Sequence, residues 1–271
     1  MAMDLAQRLL VKPGTRVRLA EWDPRDTPGV ADKKEAKPIL KRNVRRLADL
    51  QYRLYAEDKR ALLIVLQAMD AGGKDGTIRD VMGPLNPQSC RVTSFKVPTA
   101  EELAHDFLWR VHKAVPRRGE IGVFNRSHYE DVLVVRVRDL VPRAVWSKRY
   151  DQINAFEAIL AAGGVHILKF YLHISKQEQL ERFRQRLADP RKQWKVGPDD
   201  FRERRRWNQY QAAYEDVLSR CSTAQAPWYI VPADREWYRN LAVSQIMAET
   251  LAGFRMRFPK PRADLAKLKA K

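Results

Sequence analysis

The sequence predicts an α/β fold, a parallel sheet with helices on both faces. Three observations predict it. Residues 61–67, ALLIVLQ, form an uninterrupted apolar run, the pattern of a strand buried on both faces. A glycine-rich turn and a helical pattern follow at once. Further apolar runs then alternate with helical patterns as far as residue 251, an order that builds βα units rather than a sandwich. The 271 residues, 45% hydrophobic, suffice for one such domain and its core.

Residues 1–34 are rich in proline, glycine and charge, and read as an N-terminal arm with no core of its own. From Lys37 to Glu57, Leu40, Val44, Leu47, Leu50 and Leu54 recur at helical spacing, with Pro38 where a helix start tolerates it. After the first strand the helical pattern runs through Ile78 and Val81. Arg91–Val97 is the second strand. Thr99 and Glu102 make a capping box for a helix carrying Leu103, Phe107 and Val111 that stops before Pro116. Ile121–Phe124 is the third strand. Val132–Val137 has strand-like composition, but parallel strands need a crossover between them, so it is read as helix. A helix from Pro142 ends at Gly163-Gly164, and 165–174 is the fourth strand. Ser175 and Glu178 cap the next helix, 228–232 is the fifth strand, and a last helix runs through Leu251. A single domain thus spans 35–254, with a basic, mobile tail over 255–271.

Fifty-one basic against 33 acidic residues leave a net charge of +18. Such an imbalance points to a polyanion, whether nucleic acid, anionic membrane or phosphate polymer, or else to a generally basic soluble surface. Cys90 and Cys221 are the only cysteines, so neither a disulfide framework nor a zinc site is indicated. The first residues lack an apolar signal region, and Ala61–Leu66, the longest apolar run, is too short to cross a bilayer. A cytoplasmic protein without a membrane partner is expected.

The most informative stretch is Ala68-Met69-Asp70-Ala71-Gly72-Gly73-Lys74-Asp75-Gly76-Thr77-Ile78. Its place between a buried strand and a helix is that of a phosphate-binding loop. Gly72, Gly73 and Gly76 let backbone N–H groups turn toward a phosphate, Thr77 opens the helix, and Lys74 supplies a full charge. The match to the usual loop is imperfect. Ala68 replaces the first glycine, and Asp75 replaces the metal-binding hydroxyl. Asp70 and Asp75 in a phosphate cradle repel the ligand unless a cation lies between them, so Mg²⁺, with Mn²⁺ as an alternative, is expected there. Asp75 acting only on the helix dipole is the other reading.

This loop is similar to that of the polyphosphate kinase 2 family, whose variant carries the extra aspartate. Residues 95–137 resemble the family's central segment. The stretch from Arg182 through Trp194-Lys195 to residues 226–234 resembles its lid and C-terminal strand, so about 35–250 are covered. The resemblance implies a P-loop kinase fold, thymidylate-kinase-like, with a helical lid over about 182–206. It also implies transfer of the terminal phosphoryl group of inorganic polyphosphate to nucleotides, and a homo-oligomer, dimer or tetramer. Many relatives carry Asp-Arg-Ser where this chain has Asn125-Arg126-Ser127. Asn125 is neutral, which makes Glu130 and Asp131 candidates to restore the lost charge.

By resemblance, and because guanidinium forks match phosphate geometry, Arg126 and Arg136 are expected to face the transferred group. Arg182 and Arg186 are expected to meet the phosphates as the lid closes. Solvated helix surface is the other reading of those lid arginines. The candidate catalytic set is therefore Asp70, Lys74, Arg126, Arg136, Arg182 and Arg186. Asp70, Asp75, Glu130 and Asp131 are the metal candidates, and Asn125 and Ser127 join the loop residues in binding substrate. Lys96, Arg110, Arg117 and Arg118 lie in the segment where thymidylate-kinase-like folds place the acceptor.

Two rivals remain. An ATP-dependent nucleoside monophosphate kinase explains the loop but not the charge or the doubled carboxylates. A nucleic-acid-binding protein with an inactive loop explains the charge, yet the chain has no basic platform interleaved with aromatics. Residues 67–78 together with 124–132 resemble the subgroup that accepts both AMP and ADP. Adenine nucleotides, and guanine nucleotides as a further option, are the expected acceptors.

Overall fold

The computed structural model describes residues 5–261. Five strands, β1 (Ala61–Ala68), β2 (Cys90–Ser94), β3 (Ile121–Asn125), β4 (Val165–His173) and β5 (Trp228–Pro232), form one sheet in the order β2-β3-β1-β4-β5. Every pairing is parallel. All eight residues of β1 are buried, as its unbroken apolar run requires of a strand flanked on both edges and covered on both faces. Leu66 pairs with Asn125 and Ala68 with Leu172, so β1, β3 and β4 end side by side. The chain leaves β1 for β2 on one side and later crosses to β4 on the other. The crevice beyond these carboxyl ends is where such a sheet takes its ligand.

The helices are α1 (Leu5–Leu9), α2 (Lys33–Glu57), α3 (Lys74–Thr77), α4 (Ala100–Leu103), α5 (Trp109–His112) and α6 (Val134–Val137). After them come α7 (Arg143–Trp146), α8 (Arg149–Ala162), α9 (Lys176–Ala188), α10 (Pro198–Arg205), α11 (Trp207–Arg220) and α12 (Glu236–Gly253). Asp32 caps α2 by accepting from the Glu35 N–H, and the Thr99 capping box and the Ser175 cap form as expected.

Three expectations need correction. The helix opened by Thr99 breaks after Leu103, because the Asp106 carboxylate accepts from the Leu108 N–H and holds a turn before α5. The helix expected from Pro142 forms in two pieces, α7 and α8. The second strand ends at Ser94, short of Val97, and Pro98 lies just beyond. The N-terminal arm, which has no core of its own, sits in that of the domain. Leu5, Leu9, Val11, Val17 and Leu19 are buried in the main cluster, Leu10 bridges Tyr229 at the edge of the sheet, and the Val17 N–H donates to Ser219 Oγ at 2.8 Å. Of the basic tail, Met256 is buried and Phe258 packs against Tyr52 at 5.6 Å, while 262–271 lie outside the described residues.

One polar cluster sits inside the apolar layer. Lys169 of β4 is fully buried and donates to Glu157 (2.5 Å), the Tyr129 hydroxyl (2.8 Å) and the Cys221 carbonyl (2.6 Å). Burial pushes the Glu157 carboxyl up, but Lys169 and His128 outweigh it and hold it below the usual range. Breaking such a buried set by removing one member costs about 3–5 kcal/mol. The cluster anchors the turn at His128–Asp131, directly after the second motif.

Candidate active site

The phosphate loop joins β1 to α3. Ala71 and Gly73 take positive φ, 59° and 97°, which turns the loop back over the end of the strand. A Cβ at Gly72 would collide with the side chain of Ala68 and lie 2.8 Å from the Met69 carbonyl, so only glycine fits. Lys74 donates to the Ala68 carbonyl at 3.1 Å across the mouth of the loop, and the Thr77 hydroxyl closes the first turn onto the Gly73 carbonyl.

Burial pulls the Lys74 amine down to about 8, with Arg126 pushing the same way against Asp70, Glu130 and Asp75. The amine is therefore charged below about 8 and neutral above it. An anion on the loop favours the charged form. Anion affinity should be full below pH 8 and fall as pH rises through it. Calorimetric titration with inorganic tripolyphosphate on either side of that pH checks this, and a flat profile would contradict it.

Arg126 follows β3 with φ 61°, a left-handed turn that aims its fork across the loop to Asp70 Oδ1 at 3.3 Å. Burial works against its charge, but Glu130 and Asp70 outweigh it. Asn125, at the end of β3, donates from Nδ2 to Asp75 Oδ1 at 2.9 Å. The two positions at which the loop and the second motif depart from the usual pattern thus touch each other.

Beside the loop lies a cleft of about 190 Å³. Asp70, Arg126, Glu130 and Gln179 form its floor, and α10 roofs it with Asp199, Asp200, Glu203 and Arg204. Arg138 reaches Glu203 at 3.1 Å across the cleft, and Tyr210 donates to the same carboxylate at 2.5 Å. Gln179 spans floor and roof, donating to the Asp70 carbonyl and accepting from Arg204.

Several expected residues are engaged elsewhere. Arg136 points into a separate pocket, paired with Asp216 at 2.6 Å, bonded to the Tyr150 hydroxyl and lying over the Trp146 ring. Arg182 is buried under the loop, where it donates to the carbonyls of Ala71 and Ala233 and pairs with Glu178, so it holds the loop rather than facing the cleft. Arg186 donates to the Lys195 carbonyl within the lid. Asp131 is taken up by Arg149 at 2.8 Å, and burial pushes its carboxyl up to about 6. Ser127 is buried, accepting from Gln67 and capping the turn that follows. Arg110 is tucked against Glu102, the Lys96 carbonyl and the Phe95 ring. Arg117, paired with Glu120, and Arg118 precede β3 and so lie at the amino ends of the strands, the opposite end from the loop. Lys96 follows β2 at the correct end and is exposed. Sequence reasoning did not single out Gln179, Arg138 or Arg204.

Residues 30–259 match the family described as polyphosphate kinase 2. An AMP/ADP-polyphosphate phosphotransferase of Meiothermus ruber is 53% identical over 262 residues, 95% of this chain and 97% of its own length. An ADP-polyphosphate phosphotransferase of Rhodopseudomonas palustris is 46% identical, covering 92% and 91%. The crystal structure of a polyphosphate kinase 2 from Arthrobacter aurescens TC1 superposes with a TM-score of 0.94 at 43% identity, over 98% of this chain and 95% of that one.

Proposed function

Because the chain belongs to the polyphosphate kinase 2 family, we propose that it reversibly transfers the terminal phosphoryl group of inorganic polyphosphate to AMP and then ADP, making ATP. The observation that carries this reading is a phosphate loop opening directly into a lidded cleft lined by Arg126, Arg138 and Arg204. The polymer's end lies on the loop and the nucleotide enters the cleft. A phosphate oxygen of the nucleotide attacks the terminal phosphorus, and the bond from that phosphorus to the bridging oxygen breaks, its electrons staying on the bridging oxygen as it leaves with the shortened polymer. The attacking oxygen is already anionic near neutral pH, so no strong general base is needed. Lys74 and Arg126 supply alignment and charge neutralisation, which carry most of the catalysis in phosphoryl transfer.

Kinases of this kind use a divalent cation. Asp70, Asp75 and Glu130 offer hard oxygen donors around the loop, a set that fits Mg²⁺, or Mn²⁺ in its place. Among the described residues no three acidic, histidine or cysteine side chains cluster tightly enough to hold an ion alone. That fits a cation shared with substrate phosphates, as is usual for Mg²⁺. Once bound, the cation neutralises charge on the phosphate oxygens.

Dual acceptor use rests on the likeness to the Meiothermus ruber relative. Guanine nucleotides are a further option as acceptors. The reaction belongs in the cytoplasm, where nucleotides are at hand. No helix among the described residues is long and apolar enough to cross a membrane. A homo-oligomer, dimer or tetramer, is part of the same reading, by resemblance to the family.

Incubation with polyphosphate, Mg²⁺ and AMP should show ADP rising and then falling as ATP accumulates. AMP left untouched while ADP is consumed would refute dual acceptance. Transfer from ATP to AMP, with none from polyphosphate, would favour the ordinary monophosphate kinase.

A further inference from the structure

Behind the phosphate loop, on α12, lies a charge that neither the loop motif nor the lid accounts for. Arg239 is fully buried. Its guanidinium rests against the back of the loop: a Cβ at Gly73 would collide with Nη1, and one at Gly76 would lie 3.0 Å from Nη2. Nε and Nη2 both donate to Asn240 Oδ1, at 3.1 and 3.0 Å, and Asn240 in turn donates to Asp80 at 2.9 Å. Nη1 has no hydrogen-bond partner among the described residues. The nearest carboxylate to it, Glu236, is 4.0 Å away and largely exposed.

A buried arginine that serves packing alone has its fork satisfied and its charge paired, since a buried donor left unmet forfeits its hydration with nothing in return. Arg182, the other buried arginine beneath the loop, meets that standard, with carbonyls on both terminal nitrogens and Glu178 at 2.8 Å. Arg239 does not. Its charge is opposed only through an amide and by a distant, solvated carboxylate, so a positive field passes through the glycine backbone to the face where phosphate sits. The glycines transmit it because no side chain separates guanidinium from backbone. Burial disfavours this charge, drawing the Arg239 pKa down to about 10, so the site retains a cation at a cost to the free protein.

We propose that Arg239 is a positioning residue for phosphate binding, a buried cation that supports Gly73 and Gly76 from behind and draws the anion onto the other face of the loop. The identity of that anion rests on the polyphosphate reading; the role of Arg239 does not.

The test compares the full chain with Arg239→Lys and Arg239→Gln by calorimetric titration with inorganic tripolyphosphate, alongside melting curves. Both replacements can still donate to Asn240, and they differ in charge. Arg239→Gln should bind tripolyphosphate about tenfold more weakly, and Arg239→Lys should stay within about twofold of the parent. Equal affinity in Arg239→Gln and the parent, or equal losses in both variants, overturns the proposal. Matched drops in melting temperature with matched affinities would reduce Arg239 to packing. If the parent does not bind tripolyphosphate, the donor reading fails instead, and the same comparison with ATP decides the role of Arg239.

Discussion

Replacing Lys74 with alanine should lower kcat for polyphosphate-dependent ATP formation by roughly 100-fold or more with the fold intact. The amine hangs across the mouth of the loop on one weak contact, the Ala68 carbonyl at 3.1 Å, so its loss removes little from the free protein. Partial burial has already drawn its pKa down to about 8. A phosphoryl group arriving there meets a charge partly withdrawn from solvent, and the gain is largest where negative charge builds up in transfer. A melting curve like the parent's combined with near-parental turnover would remove the loop from the mechanism.

The second large effect concerns Asp75 and Asn125. In an ordinary P-loop enzyme the residue after the lysine is a hydroxyl, the neighbouring strand ends in a carboxylate, and both serve the metal. Here the carboxylate stands on the helix as Asp75 and the neutral partner on β3 as Asn125, joined at 2.9 Å. The charge has changed sides while the pair persists. Asp75→Asn should therefore weaken Mn²⁺ binding, read by electron paramagnetic resonance, and raise the Mg²⁺ needed for half-maximal rate, each by roughly 10–100-fold. Adding Asn125→Asp returns the carboxylate to the strand and should recover most of both losses. Unchanged Mn²⁺ affinity in Asp75→Asn would leave Asp70 and Glu130 as the groups that matter.

Most of the frame was legible because local rules dictate it. The apolar run of β1, the Thr99 and Ser175 caps and the glycines at 72 and 73 each state their structure within a few residues. The site was less legible because an arginine's destination depends on partners far along the chain. Arg136 meets Asp216, 80 positions away, and nothing near Arg136 announces it. Arg182 was closer to readable: Glu178 lies one turn earlier, the spacing of a helical ion pair, and that pairing argued for a fixed arginine over a free one. Arg239 carried a signal too. It is a lone cation in a helix whose residues 238–244 are all buried, and such a residue is held for a reason. Arg117 and Arg118 share a segment with the expected acceptor region, but the parallel sheet puts the start and the end of β3 at opposite poles.

The seating of the N-terminal arm also bears on how the molecule is made. Val17 is held by Ser219, 202 residues later, and the Val11 N–H donates to the Trp228 carbonyl. On the ribosome these apolar residues emerge early, but their seat exists only once α11 and β5 have followed. Until then Leu5, Leu9, Val11, Val17 and Leu19 have nothing to cover them. Closure of the core is thus a late, long-range event that spans nearly the whole chain, the kind of contact that slows folding and exposes intermediates to aggregation. A chain cut short before Trp228 loses more than an edge strand, because it also strands its own first residues in water.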